Sequence, residues 1–541
     1  MTEKTCWNDI IALISVIVRM QSYNTIKMEH SDTNKRIAKN TVFLYIRMLF
    51  VIIVSLYTSR VVLDKLGIED YGIHNVVAGF VGMLFFFSTS LSNVTQRFLS
   101  IELAKKNIQS AKKVFNQHLI LYILVILLLL LLAETLGLYF VRYKLVIPLE
   151  RLSAALWAYQ FGLISISFTL LGIVYNSAII AHEDMKIYSY VGMVEGLANL
   201  IIAYIISEVD ADRLIVYSFL LMIVVACVQC FYAFYCHHQY DEIKYCWFWD
   251  RKTIHHTVSF VGWNFVSTII YMLKDQALNV LLNIFCGPSV NAARAISYQI
   301  NSAISNFNSN FVTSVKPQIV KSFAAKDYAY MYLLFYKSSK FSLYLMWLLC
   351  LPMMCFLEFV LEIWLKDVPH YTSVFTFWIL VDSILATMTN APWIITMASG
   401  NLKRYVLQCN GLLIFIFPAS YVALRMGCSP VSVFIIIVFV RIVQISFILY
   451  VLNQQIHFGI KNYIRKVVIP VLRVILLSLP IALIIRLTVN NSIIFNLLGI
   501  IMVFFISLCL VWLIGLEAEE RNFITAHIKR RATDTVTIEN K

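Results

Sequence analysis

An all-α polytopic membrane protein is the fold class that the sequence predicts, and three observations carry the expectation. Mean hydropathy is +0.76 over 541 residues. Only 14% of the residues are charged, where soluble domains average about 25%. Apolar runs recur from Phe43 to the C-terminal region, many of them reaching the ~20 residues that a helix needs to cross the hydrocarbon core. A β-barrel would instead alternate in strands of about 10 residues, and no such pattern is present.

The elements follow in order, and fourteen membrane helices are expected, at 41–63, 72–95, 115–139, 153–181, 187–207, 214–236, 257–285, 290–314, 338–361, 371–398, 404–424, 431–453, 467–487 and 493–515. The first carries Arg47, the fifth Glu195, the tenth Asp382 and the twelfth Arg441. Each charge costs on the order of 3 kcal/mol at a helix centre, so the set asks for a cavity or for structural ion pairs. The sixth helix holds Cys227 and Cys230, followed by Cys236, His237 and His238. Membrane cysteines behave as small apolar residues, and no metal is expected there. The remaining cysteines also lie mostly in apolar runs rather than in the spacing of a secreted disulfide framework. Connections are short, the longest being the polar, basic stretches Cys236–His256 and Lys316–Lys337.

The formal charge of +14 is read as loop charge that sets topology rather than as a nucleic-acid footprint. With the N-terminus placed in the cytoplasm, twenty-two lysines and arginines fall in cytoplasmic segments and nine in outer ones. That bias places both termini inside and requires an even number of helices. Residues 1–39 form an N-terminal segment in which Ile10–Met20 is apolar but too short to span. Initiation at Met28 would leave residues 1–27 without a role.

The stretch Gly287–Ser322 holds one arginine, five asparagines and two glutamines, with no charge between Arg294 and Lys316. On a helix, Asn291, Arg294, Tyr298, Asn301, Ser305 and Asn308 fall on one face, and Ile296, Ile300, Ala303, Phe307 and Phe311 gather on the other. The polar face must meet protein or water, because unsatisfied polar groups are expensive in hydrocarbon. Asparagine and serine often serve interhelical hydrogen bonds, but an arginine in a span marks a cavity or pathway. The preceding helix aligns Asn264, Thr268, Tyr271, Asp275, Asn279 and Asn283, with Lys274 pointing elsewhere. The second helix repeats the device with Gly72, Asn75, Gly79, Gly82, Phe86, Thr89 and Asn93. An offset of 220 residues relates Gly67 to Gly287 and Lys106 to Lys326, which points to an internal repeat. Residues 40–250 and 251–453 are then two parallel six-helix lobes about an axis along the membrane normal. Residues 454–515 append two helices, and 516–541 form a cytoplasmic tail.

NKRIAKNTVFLYIRML, SLYTSRVVLDKLGIEDYGIHNVVAGFV and TQRFLSIELAKKN resemble the beginning of Wzx-type polysaccharide flippases. GWN at 262–264, NVLLNIFCGPSVNAARAISYQIN, KPQIVKS and ASGNLKRY resemble their second half. These are members of the MOP exporter superfamily and relatives of the MATE transporters. The resemblance runs from about Asn34 to the last helices. It implies two lobes of helices around a cationic cavity, and ion-coupled alternating access that moves an undecaprenyl-pyrophosphate-linked oligosaccharide across the inner membrane for O-antigen, capsule or exopolysaccharide synthesis. Arg47 and Arg294 are the matching basic positions. Partners of such a protein are the lipid-linked oligosaccharide, membrane lipid, a polysaccharide polymerase and a chain-length regulator.

Elementary chemistry gives the same assignment of roles. Arginine offers a planar fork of donors to a pyrophosphate, and Arg47, Asn75, Asn264, Asn279, Asn291, Arg294, Tyr298, Asn301 and Asn308 are the substrate-binding candidates. No GxxxxGK[ST] phosphate loop is present, so energy is expected from an ion gradient, with Asp275, Glu195 and Asp382 as coupling carboxylates. No catalytic residue and no cofactor is expected. The alternatives are a MATE-type drug or cation antiporter, which would want acids in the cavity, and a membrane polysaccharide polymerase, which would want a long outer loop.

Overall fold

A computed structural model describes residues 36–525, apart from residues 56, 63, 68–69, 75–76, 79–80, 83–85, 144–146, 207, 247–250, 366–367, 457, 490–491 and 523–524. The N-terminal expectations for residues 1–27 and most of the tail lie outside the described residues, as does Asn75. The described chain is all helix. We label α1 Arg36–Gly67, α3 Ile108–Tyr143, α4 Leu149–Ala181, α5 Met185–Ile205 and α6 Arg213–Gln239. Between α1 and α3, α2 comprises the helical residues among 70–82 and the segment Phe86–Ala104. Then follow α7 Arg251–Cys286, α8 Pro288–Ala324 and α9 Tyr328–Cys355. A short helix, Leu357–Trp364, precedes α10 Thr372–Ser399, α11 Leu402–Arg425, α12 Val431–Ile456, α13 Ile460–Thr488 and α14 Ile493–Gly515.

Twelve of these helices are long and apolar enough to cross a membrane, and α2 and α8 pack among them. The chain is a multi-pass membrane protein. Most helix starts lie before the expected apolar run, because polar residues continue a helix once it leaves hydrocarbon, whereas α5 and α9 end short of their expected limits, at Ile205 and Cys355. The main correction concerns Lys316–Lys337, expected as a loop. Lys316 and Lys321 belong to α8, which continues to Ala324, and only Ala325–Asp327 separate it from α9.

The internal repeat has a backbone signature. Gly67 and Gly287 both take positive φ, at 82° and 83°, and Lys106 and Lys326 do so at 54° and 60°. Left-handed backbone is uncommon for lysine, so its recurrence at the same offset marks one turn used twice. The next residue then caps the following helix in both copies: Asn107 accepts from Ser110 N at 3.0 Å, and Asp327 from Tyr330 N at 3.1 Å.

Packing divides the apolar residues into separate cores. One draws on Ile73 to Ile243, from α2, α3, α4 and α6. Another draws on Ile270 to Ile437. The largest joins Val315 to Leu516, together with Ile37, and seats α13 and α14 on α9. Polar contacts fasten that seat. Tyr344 donates to the Gly515 carbonyl at 2.9 Å, Trp347 Nε1 to Ser478 Oγ at 2.8 Å, and Lys340 Nζ lies 2.7 Å from Glu520 Oε2. The Lys340–Glu520 pair is almost wholly buried, so loss of either partner strands a charge at a cost of about 3–5 kcal/mol.

At the end of the bundle opposite the lysine-rich turns, Arg151 at the start of α4 clamps two carboxylates. Nη2 is 2.6 Å from Asp70 Oδ2 and Nη1 is 2.6 Å from Asp212 Oδ2. Burial pushes the Asp212 carboxyl up, but Arg151 and the amides of Ile215 and Leu214 outweigh it and hold the group below its ordinary value. A depressed carboxyl stabilises the fold above its unfolded pKa and loses that contribution as pH falls through the folded value. We expect Arg151→Ala to lower stability at neutral pH by about 1–2 kcal/mol, since the site is partly exposed. The gap from wild type should begin to narrow as pH falls below about 4. Thermal unfolding of both proteins in detergent, at neutral and acid pH, measures this.

Candidate functional site

α8 is the helix around which the polar groups gather. Its 37 residues extend roughly 55 Å at 1.5 Å each, so it is long enough to cross a bilayer, but it is absent from the helices apolar enough to do so. It contains no aspartate or glutamate. α7, α9, α10 and α2 pack around it.

Arg294 lies near the start of α8. Its Nη1 donates to Asn279 Oδ1 at 3.3 Å and its Nη2 to the Asp275 carbonyl at 3.0 Å, both on α7. The guanidinium carbon sits 4.5 Å from the centre of the Tyr298 ring. All of these acceptors are neutral. The Asp275 carboxylate lies instead 3.1 Å from Lys274 Nζ. That contact corrects the expectation that Lys274 points elsewhere: its side chain is 7% exposed, and a buried ammonium turns to the nearest anion. Arg294, Asn279, Asp275 and Tyr298 are therefore brought together.

The other predicted residues are distributed more widely. Asn301 accepts from Ser383 Oγ of α10 at 2.5 Å and from Ser305 Oγ at 3.2 Å. Asn264, Asn291 and Asn308 each bury an amide atom without a protein partner. Asp382 is held by both arms of Arg441, at 2.8 and 3.1 Å. From Arg441 the network continues through Gln444, Asn410 and Ser267 at 2.8, 3.2 and 2.7 Å. In the first half of the chain, Arg47 lies 4.4 Å over the Tyr188 ring, and its Nε has no hydrogen-bond partner. A Cβ at Gly192 would collide with that Nε, so glycine is what admits the guanidinium. Glu195 lies within electrostatic reach of Arg47 without an ion-pair contact.

The predicted stripe is half-buried, and the exposed polar line is its neighbour. Gln299, Ser302, Asn306 and Ser309 are all exposed and recur at steps of 3 and 4, about a quarter-turn round the helix. The sequence pattern does not single them out, because Ala295 and Ala303 share their side of the helix and dilute its polarity. A line free of large apolar residues from 299 to 309 is the available signal. Gly72 and Gly82 of α2 also border open space, since a Cβ at either would meet nothing within 4 Å.

The two halves of the chain meet at the lysine-rich end. Glu183 sits in the turn between α4 and α5 with φ 65° and a fully buried carboxylate. It binds Arg36 of α1 at 2.8 Å, Lys321 of α8 at 2.6 Å, and Gln318 of α8. The matching turn between α10 and α11 offers carbonyls instead: Arg97 of α2 donates to Met397 O and to Ala398 O, the second at 3.1 Å. Thr41–Ser314 at 2.7 Å and Lys316–Asn93 at 2.6 Å complete this seam. The first half of α8 bonds within its own lobe, as with Ser297 to the Thr372 carbonyl at 3.2 Å. The described seam thus closes the lobes at one end.

No protein-family model matches the chain, and no curated protein sequence does. Solved structures do. A mutant of the MATE transporter VcmN of Vibrio cholerae superposes with a TM-score of 0.66 at 16% identity, over 79% of this chain and 98% of that one. An outward-facing multidrug resistance MATE family transporter of the MOP superfamily gives 0.65 at 13%, over 79% and 96%. A MOP superfamily transporter from Pyrococcus furiosus, described as having a binding pocket of reverse polarity, gives 0.63 at 13%, over 77% and 96%. The chain has the fold of these transporters.

Single cysteines should separate the two lines on α8. With the exposed native cysteines replaced by serine, Gln299→Cys, Ser302→Cys and Asn306→Cys are expected to react with a membrane-impermeant thiol reagent. Asn301→Cys and Asn308→Cys should react at least tenfold more slowly, as measured by the labelling rate of intact protein.

Proposed function

We propose that the protein flips a polyprenyl-pyrophosphate-linked oligosaccharide across the bacterial inner membrane, as part of cell-surface polysaccharide synthesis. The carrying observation is Arg294: a guanidinium inside a span, surrounded by neutral acceptors, on a helix without a single acid. Such a group retains net charge for an anionic ligand, and its planar fork suits a phosphate. The exposed amides and hydroxyls of Gln299, Ser302, Asn306 and Ser309 replace water around sugar hydroxyls.

The fold equally hosts MATE transporters, and a cation antiporter is the second reading. The lack of any carboxylate on α8 disfavours it. If the transport is ion-coupled, Glu195 and Asp275 are better placed than Asp382, both of whose oxygens already serve Arg441. Arg47, crowded onto Gly192, is the basic group of the first lobe, and Asn264, Asn291 and Asn308 supply unpartnered amide atoms. In this reading the seam built on Glu183 and Arg97 faces the cytoplasm, and the lobes part toward the periplasm.

Arg294→Lys keeps the charge and loses the fork. It should lower polysaccharide surface display severalfold, and Arg294→Ala should abolish it, each normalised to protein in the membrane. A fully active Arg294→Ala would refute the assignment, and export of cationic dyes by the wild type would favour the antiporter. Orientation is tested separately: reporter fusions after Ser207 or Trp364 should report outside, and fusions after Cys246 or Lys326 inside.

A further inference from the structure

Two appended helices, α13 and α14, enclose a feature that transport through the lobes does not use. Between the first half of α13 and the last turn of α14 lies a cavity of about 610 Å³, lined by Lys461, Arg465, Arg473 and Glu517, with Pro470 and Ile514 among its apolar walls. Lys461, Arg465 and Arg473 are exposed, and no ion pair joins any of the three to a carboxylate among the described residues. Glu517 is the one acid on the cavity wall. Glu520, close by, is committed to Lys340 at 2.7 Å.

Arg473 is the informative member. It sits at the middle of a 29-residue span, where an arginine is expensive to keep. Its Cβ tilts toward the N-terminal end of α13, so its long side chain extends along the helix toward Arg465, whose Cα is roughly 12 Å away. Three cations and one carboxylate thus share a space whose other walls are apolar, among them Ile464, Ile469, Pro470 and Ile514. That combination suits a ligand with an anionic head and an apolar body.

We propose that this cavity holds the phosphate headgroup of an anionic glycerophospholipid from the bilayer leaflet at the lysine-rich end. The phosphodiester accepts from Arg473 and Arg465, Lys461 adds charge at the rim, and the acyl chains lie against the outer faces of α13 and α14. The bound lipid neutralises Arg473 and fastens the appended helices to one leaflet. The site is independent of the cargo carried between the lobes.

The test uses the purified full-length protein in neutral detergent, titrated with short-chain phosphatidylglycerol or with phosphatidylcholine of matched chains, binding being read from the shift in melting temperature. Phosphatidylglycerol should bind at least tenfold more tightly. Arg473→Gln should reduce that preference about fivefold, the effect of one interfacial cation, while Arg473→Lys keeps most of it and Glu517→Gln strengthens it. If Arg473→Gln does not fold, the exposed double variant Lys461→Gln/Arg465→Gln reads the same preference. Equal affinity for the two lipids, or an intact preference in Arg473→Gln and in the double variant, would overturn the proposal. Inorganic pyrophosphate binding as tightly as the lipid would also overturn it, by showing a site for soluble anions.

Discussion

The structure depends on one constraint: a helix as polar as α8 cannot face hydrocarbon. With five asparagines, an arginine and two lysines between Gly287 and Ser322, its exposed polar atoms would each cost several kcal/mol in lipid. α8 is therefore wrapped by α7, α9, α10 and α2, and the two most apolar helices, α3 and α14, are among the least buried. The two lobes touch along it for the same reason. Ser314, Lys316, Gln318 and Lys321 find partners on α1, on α2 and in the turn after α4.

Charges inside the bundle are handled in two ways. Arg441 and Lys340 have carboxylates at hydrogen-bond distance, and Arg97 has two backbone carbonyls and the faces of Phe98 and Phe260. These groups hold the fold. Arg294, Arg47 and Arg473 lack such anions, although they lie in or against membrane helices. An arginine kept there without a counter-charge is the arrangement expected of a group that meets its anion from outside the chain.

Much of this is legible in the sequence, because hydrocarbon imposes its pattern on composition. Apolar runs mark the membrane helices, and the turns at Gly67/Gly287 and Lys106/Lys326 show as a 220-residue echo whose shared backbone the structure supplies. Arg294 stands out by charge alone. What escapes depends on rotation and on neighbours in space. A helical wheel gives relative angles but not which face turns outward, so it groups Asn301 with the open face although Asn301 bonds Ser383, and it passes over Gln299 and Asn306. Lys274 and Asp275 are adjacent in sequence, and their pairing reflects burial rather than spacing. Arg473 lies in a run so apolar that it reads as an ordinary span, and the cavity beside it is completed by residues at the end of the next helix.

The seam at the lysine-rich end joins its two sides by different physics. Glu183 grips with full charges, whereas the turn at Met397 and Ala398 grips Arg97 with neutral carbonyls. Separating the lobes there means letting water reach the ionic grip, and hydration of charge carries a strongly negative entropy. Wetting of the Glu183 side is consequently favoured by cold and opposed by warmth, while the Arg97 side lacks a second ion to hydrate. The seam thus has a strongly temperature-graded contact on the Glu183 side and a weaker one, with a single ion to hydrate, on the Arg97 side.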